Sequence, residues 1–227
     1  MTAGAAGPER EVPAWRSRRA WAVLLGVLAI VLAIDLWSKS WAFAHVADEP
    51  IELPAREIVA DPAFRLPWHE GQRAIPGDLL DFRLVLNHGA VFGIGQHKRW
   101  IFVAFTIVAV AAGLWVFGAF TKRSSTLAHV GLALVLAGGL GNLFDRLTVG
   151  AVRDFLHLFP RWDLPFGWEW PGAGREVFPW IFNVADVSLL AGIGLLLMAS
   201  TREDRRRADA RRAAEIKDSA QEADPAT

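Results

Sequence analysis

Four apolar runs, at residues 20–44, 100–120, 127–144 and 178–199, are each long enough to cross a lipid bilayer. A spanning helix needs roughly 20 mostly apolar residues, and a single segment in lipid satisfies its own backbone polar groups only as a helix. Hydrophobic residues make up 53% of the chain and concentrate in these blocks. The sequence therefore reads as a mainly α, integral membrane protein with four transmembrane helices. The first run has some features of a secretory signal peptide, with Arg16, Arg18 and Arg19 before it and Ala-Phe-Ala at 42–44. Cleavage there would discard Asp35 and Lys39 and leave three crossings, so the run is read as a retained helix.

Charge placement sets the expected direction of the crossings. Basic residues near short loops favour the cytoplasmic side. The amino-terminal tail carries Arg10, Arg16, Arg18 and Arg19, the loop at 121–126 carries Lys122 and Arg123, and the carboxyl tail opens on TREDRRRADARR. With four crossings these three segments share a side, which makes both termini cytoplasmic. Residues 1–19 and 200–227 are then charged tails around a membrane body at 20–199, and the more acidic segments 45–99 and 145–177 face outward. In the first of these, "LLDFRLVLN" at 79–87 alternates apolar and polar residues and reads as a strand. Residues 53–76, rich in Pro, Gly and charge, read as an irregular surface insertion. Trp162, Trp168, Trp170 and Trp180 read as an aromatic belt at the headgroup layer.

Within the apolar body a few ionisable residues stand out, because a charge in hydrocarbon costs at least ~2.5–3.5 kcal/mol and needs a compensating role. At about 1.5 Å per residue, Asp35 lies roughly 22 Å along the first helix from the cytoplasmic end. Asn142, Asp145 and Arg146 close the third helix at the outer side. Asp186, eight residues into an inward-running fourth helix, lies only about 12 Å below the outer surface. These groups share one depth, which points to a site. Asp35 and Lys39 are spaced i and i+4, acid before base, a favourable order for an ion pair on one helix face. Asn183 and Asp186 are spaced i and i+3, on one helix face, which makes Asn183 a hydrogen-bonding support for the carboxylate. The glycines of "AGGLGN", 137–142, permit close helix approach.

Asp154 follows Gly150 in "GAVRDFLHLF", where the apolar surroundings bring the chain back to the membrane surface. Two carboxylates close together in a poorly solvated place do not both ionise easily, so they share a proton and can activate a water and protonate a leaving amine. Asp154 and Asp186 are the candidates for such a dyad. The chain has no cysteine, and its six histidines form no HExxH pair, which removes thiol chemistry and gives no zinc motif. No cofactor is expected. Formal charge balances at 24 basic and 24 acidic residues, so no basic bias points to nucleic acid.

Four motifs, "DLWSK" at 35–39, "NHGAVFGIG" at 87–95, "GGLGNLFDRLTVGAVRDFLHL" at 138–158 and "FNVADVSLLAG" at 181–191, resemble in order the signature blocks of bacterial lipoprotein signal peptidase, type II. The resemblance implies a four-helix membrane aspartyl endopeptidase with a small extracytoplasmic β-cradle. Such an enzyme removes signal peptides from prolipoproteins whose lipobox cysteine carries diacylglycerol, with those substrates and membrane lipids as its partners. It makes Asp154 and Asp186 the catalytic pair and Asn87, Asn142 and Arg146 the substrate-holding residues. Asn183, Asp35, Lys39, Gly89, Gly141 and Ala185 become supporting positions, and Asp145 a structural anchor for its neighbour Arg146. His88, Val91 and Arg153 depart from the family's usual residues, and the outer insertions are longer than usual. A proton-coupled transporter is the rival reading, since it too uses intramembrane Asp, Asn and Arg. Four helices without an internal repeat, and charges at the outer level instead of the midplane, weigh against it.

Overall fold

The computed structural model describes residues 12–61, 64–89 and 99–223. Four long helices are apolar enough to cross a membrane: α1 (Arg18–His45), α3 (Arg99–Phe120), α4 (Thr126–Thr148) and α5 (Val184–Ala223). A short α2 (Ala55–Ala60) and four strands, β1 (Gln72–Ile75), β2 (Leu80–Asn87), β3 (Val152–Leu158) and β4 (Ile181–Phe182), lie between them. Helix α4 is the hub, packing on α1, α3 and α5, and it is the most buried of the four.

That close packing depends on missing side chains. A Cβ on Gly138 of α4 would collide with the Ala185 carbonyl and the Leu189 side chain of α5. A Cβ on Gly141 would collide with the carboxylate of Asp35. The glycine stripe read from the sequence is therefore where α4 lets both α5 and a polar group of α1 approach its backbone.

At one end of the bundle the strands form an antiparallel sheet in the order β1-β2-β3-β4. Leu84, Leu86 and Phe155 pack on Phe43 and Val46 at the end of α1, fixing the sheet to the helices. The strand expected at 79–87 is β2. Gly150, at φ +99, makes the tight turn from α4 into β3, a conformation that costs a glycine little. A Cβ there would also strike Val59 of α2.

At the opposite end, the backbone before α1 pairs with the α3–α4 loop: Ala14 N donates to Thr121 O at 3.0 Å and Arg123 N to Val12 O at 2.8 Å. Lys122 of that loop and Arg202 and Arg206 of α5 line one cavity. All three basic segments thus gather at one end, opposite the sheet.

Four expectations need correction. The fourth helix begins at Val184, not near Phe178: Pro179 disfavours helix in the residue before it, and the chain stays extended to pair β4 with β3. It then runs unbroken to Ala223, so no break in helix marks residue 200. The third helix extends to Thr148, which places Asn142, Asp145 and Arg146 inside its last two turns. Residues 53–76 are not wholly irregular, since they contain α2 and β1. Of the expected tryptophan belt, Trp162 and Trp168 are exposed, while Trp170 and Trp180 pack edge to face at 5.1 Å.

Candidate active site

Where the sheet meets the helices, four elements converge on one polar network. From α1 come Asp35 and Lys39, both fully buried. Lys39 Nζ lies 2.9 Å from Asp35 Oδ2, 2.9 Å from Asn142 Oδ1 and 3.3 Å from Asp145 Oδ2. Asp35 Oδ1 accepts from the backbone N–H of Ala185 at 2.8 Å, which ties α1 to the first turn of α5. The i, i+4 pair expected from the sequence is present, and its second partners reach α4 and α5.

Adjacency in the sequence pairs Asp145 with Arg146, whose charge it does act on, but the hydrogen bonds of Asp145 go elsewhere. Its carboxylate receives Arg153 instead: Nη2 and Nε donate to Oδ1 at 2.7 and 3.0 Å, and Arg153 N donates to Oδ2 at 3.0 Å. Adjacent helical residues point about 100° apart, whereas the turn at Gly150 brings β3 back beside α4. Arg153, singled out in the sequence as a departure from the usual residue at its place, is the partner of Asp145. Asp35, Asp145, Lys39 and Arg153 form a buried cluster of two acids and two bases.

Asn142 carries this cluster's order to Asp186 and Asn183. A lysine ammonium only donates, so the side of the amide facing Lys39 is Oδ1. Nδ2 must then face Asp186, and it donates to Asp186 Oδ1 at 2.9 Å. Asn142 Oδ1 also accepts from Asn183 Nδ2 at 3.1 Å. The side-chain carbonyl of Asn142 is thus engaged twice within the protein.

Asn183 and Asp186 do not share a helix face. They form a reciprocal cap at the start of α5: Asp186 N donates to Asn183 Oδ1 at 3.2 Å and Asn183 N to Asp186 Oδ2 at 3.1 Å. This is the capping-box arrangement with Asn and Asp in its two places. It puts the Asp186 carboxylate at the positive end of the helix dipole. Asn183 Nδ2 also donates to Asp154 Oδ1 at 2.6 Å, so one residue links the two carboxylates, Asp154 through its side chain and Asp186 through its backbone N–H.

Asp154 stands on β3 opposite Val85. Its second oxygen accepts from Asn87 Nδ2 at 3.1 Å. Asn87 is oriented in turn by the Gly89 N–H, which donates to its Oδ1 at 3.1 Å. Residues 90–95 of that motif, with Val91 among them, lie outside the described residues. Burial first, and then the neighbouring Asp186 charge, push the Asp154 carboxyl up from 3.8 to about 7, against the opposing hydrogen bonds of Asn87 and Asn183.

Arg146 projects from α4 near this pair. Its Nη1 donates to Asn142 O at 3.2 Å, and its guanidinium lies 5.1 Å from the Phe102 ring of α3. Its charge acts on Asp154 and Asp186 and also on its neighbour Asp145. The expected residues therefore assemble: Asp154 and Asp186 linked through Asn183, Asn87 and Asn142 donating to them, Arg146 beside them, and the charged cluster beneath. Arrays of this kind can hold a water between an acid and a base and turn it on a carbonyl.

A cleft of about 800 Å³ opens from Asp154 over the sheet. Its far wall is residues 64–69, held by His69, whose Nε2 accepts from Leu84 N at 2.9 Å while Nδ1 lies 3.1 Å from Pro67 O. The neutral Nδ1–H tautomer serves both contacts. Sequence reading did not single out His69. The available signal was indirect, since β2 slips register between Phe82 and Val85 and a bulged N–H needs a partner from elsewhere.

Comparison with known proteins gives a consistent answer. The lipoprotein signal peptidase of Dichelobacter nodosus is 32% identical over 190 residues, 82% of this chain and 96% of that protein. That of Methylobacterium radiotolerans is 35% identical over 132 residues, 56% of this chain and 67% of that protein. A bacterial membrane enzyme solved by the in meso method at 2.3 Å resolution aligns with a TM-score of 0.56 and 25% identity, covering 80% of this chain and 88% of that one. Residues 27–202 match the family model for signal peptidase (SPase) II. Because that match begins inside α1, ends beyond the apolar part of α5 and takes in every residue of the buried network, the chain belongs to the signal peptidase II family.

Proposed function

We propose that Asp154 and Asp186 are the working pair of an aspartic endopeptidase that removes signal peptides from diacylglyceryl-modified prolipoproteins, cutting before the lipid-modified cysteine. Membership of the signal peptidase II family makes the protein a multi-pass membrane hydrolase of the aspartic type. The observation that carries the residue assignment is Asn183, which bonds one carboxylate through its side chain and the other through its backbone and cap.

The environments divide the labour. Asp154 is buried and favours its protonated form near neutral pH, whereas Asp186 accepts two N–H donors at a helix amino terminus. In the first step Asp186 takes a proton from the water as its oxygen attacks the scissile carbonyl carbon. Asp154 gives its proton to the carbonyl oxygen, leaving a neutral gem-diol. Asp186 then passes its proton to the cysteine nitrogen as the C–N bond breaks, and Asp154 recovers a proton from a diol hydroxyl. Arg146 and Asn142 hold substrate carbonyls.

Supporting the direction of insertion, the basic segments meet at the end away from the sheet, so both termini are cytoplasmic and the dyad faces outward. The enzyme works on substrate held in the membrane, with lipid around both. The deciding assay uses purified protein in detergent with lipobox peptides that do or do not carry diacylglycerol. The modified peptide is cut before its cysteine, the unmodified one is not, and Asp154→Asn and Asp186→Asn are folded and inert. Full turnover by a folded Asp186→Asn protein overturns the assignment.

A further inference from the structure

The cleft over the sheet has a composition that the hydrolytic step does not call for. Along β2, Leu84 and Leu86 go to the apolar cluster on α1, while Arg83 and Val85 between them are exposed and line the cleft. Facing them across the opening is the 64–69 wall with the exposed Arg65, whose Nη1 donates to the carbonyl of Phe64. Among the described residues that line the cleft, the only acid is Asp154 at the base. Among the described residues, neither Arg65 nor Arg83 pairs with a carboxylate. A groove that starts at the dyad and leads away between two exposed guanidinium groups is shaped for a chain carrying negative charge.

Two parts of a substrate could leave the dyad. The signal-peptide side is apolar and belongs with the helices in lipid, where a groove walled by two arginines offers it nothing. The mature side must pass out of the membrane over the sheet. Arg83 lies two residues along β2 from Val85, which is the register partner of Asp154. At about 3.3 Å per extended residue, that is at most about 7 Å along the strand from Val85, and less through the register slip between Phe82 and Val85. Allowing for the length of the arginine, its charge meets a chain about two to four residues past the cleaved bond.

Resting on the peptidase reading above, we infer that the cleft binds the first mature residues of the substrate and that Arg65 and Arg83 select for an acidic side chain among them. Both side chains act as rim charges. They tune the binding of an otherwise competent peptide and take no part in bond breaking.

The experiment compares three diacylglyceryl lipobox peptides that differ only at the third mature residue, as Asp, Asn or Lys. With the native protein in detergent at low salt, KM for the Asp peptide falls about threefold to fivefold below that for the Asn peptide, KM for Lys rises, and kcat stays within about twofold. Added salt narrows the spread. In Arg65→Glu/Arg83→Glu protein the order of KM reverses, while kcat on the Asn peptide is retained and shows the variant to be folded. Equal KM for the three peptides, or a preference for Asp that survives in the double variant, overturns the inference and leaves the peptidase reading standing. Failure to cut any of the three overturns both.

Discussion

Lys39 Nζ lies 2.9 Å from Asn142 Oδ1, and this buried contact determines which end of the Asn142 amide faces Asp186. Replacing Asn142 by Asp keeps an oxygen for Lys39 and Asn183 but puts a second acceptor where Nδ2 donated to Asp186. The volume is unchanged, so the change tests donor direction. Asn142→Asp lowers kcat about 100-fold, the scale of a misplaced reacting group, with part of the loss recovered in acid as the added carboxyl takes up a proton. Single-turnover cleavage across a pH series reads this, and an unchanged kcat at neutral pH refutes the relay.

The cluster below the relay sets stability. Lys39 balances Asp35 and Asp145, all three fully buried. Lys39→Met keeps the volume and leaves one guanidinium for two carboxylates. A buried pair broken on one side costs ~3–5 kcal/mol. The purified variant in detergent melts well below the native protein, and less of it accumulates in the membrane. A melting temperature within experimental error of native shows that the cluster is hydrated or dispensable.

Much of this arrangement can be read from the sequence because it is local or tied to a motif. Four apolar runs mark the helices, alternation marks β2, and the spacing of Asp35 and Lys39 marks their pair. What escapes depends on a turn or a cap. Asp145 takes Arg153 as its partner only because Gly150 reverses the chain, and adjacency in sequence points to Arg146 instead. The start of α5 escapes because Phe178–Phe182 is as apolar as a membrane helix, and pairing with β3 decides its conformation. His69 escapes because its partner is a backbone N–H in a register slip, which no residue pattern records.

Direction across the membrane gives a third test. The chain has no cysteine, so single cysteines report cleanly. Ser124 is exposed in the α3–α4 loop, and Glu169 is exposed beyond the sheet. In intact cells Glu169→Cys reacts with a membrane-impermeant thiol reagent, and Ser124→Cys reacts only after the membrane is opened. The reverse pattern inverts the protein and places the dyad on the wrong face for exported substrates.

The raised Asp154 carboxyl makes two linked pH predictions. As the acid of the pair it must hold its proton, so kcat/KM, which reports the free enzyme, falls on the alkaline side with a midpoint near 7. For stability the sign follows from proton binding. Between 3.8 and about 7 the folded protein keeps a proton that the unfolded chain has released. The folded state binds more protons in that window, so stability falls as pH rises through it, by up to ~1.4 kcal/mol per pH unit, and levels off above. The native pair is therefore favoured by mild acid, unlike a carboxylate held by a salt bridge. Asp154→Asn cannot titrate, so it removes this part of the slope. Thermal melts of native and variant protein from pH 5 to about pH 8 show the difference in melting temperature moving in the variant's favour as pH rises. A gap that stays constant across the series means that Asp154 is ionised throughout, and the role of acid in the pair then passes to Asp186.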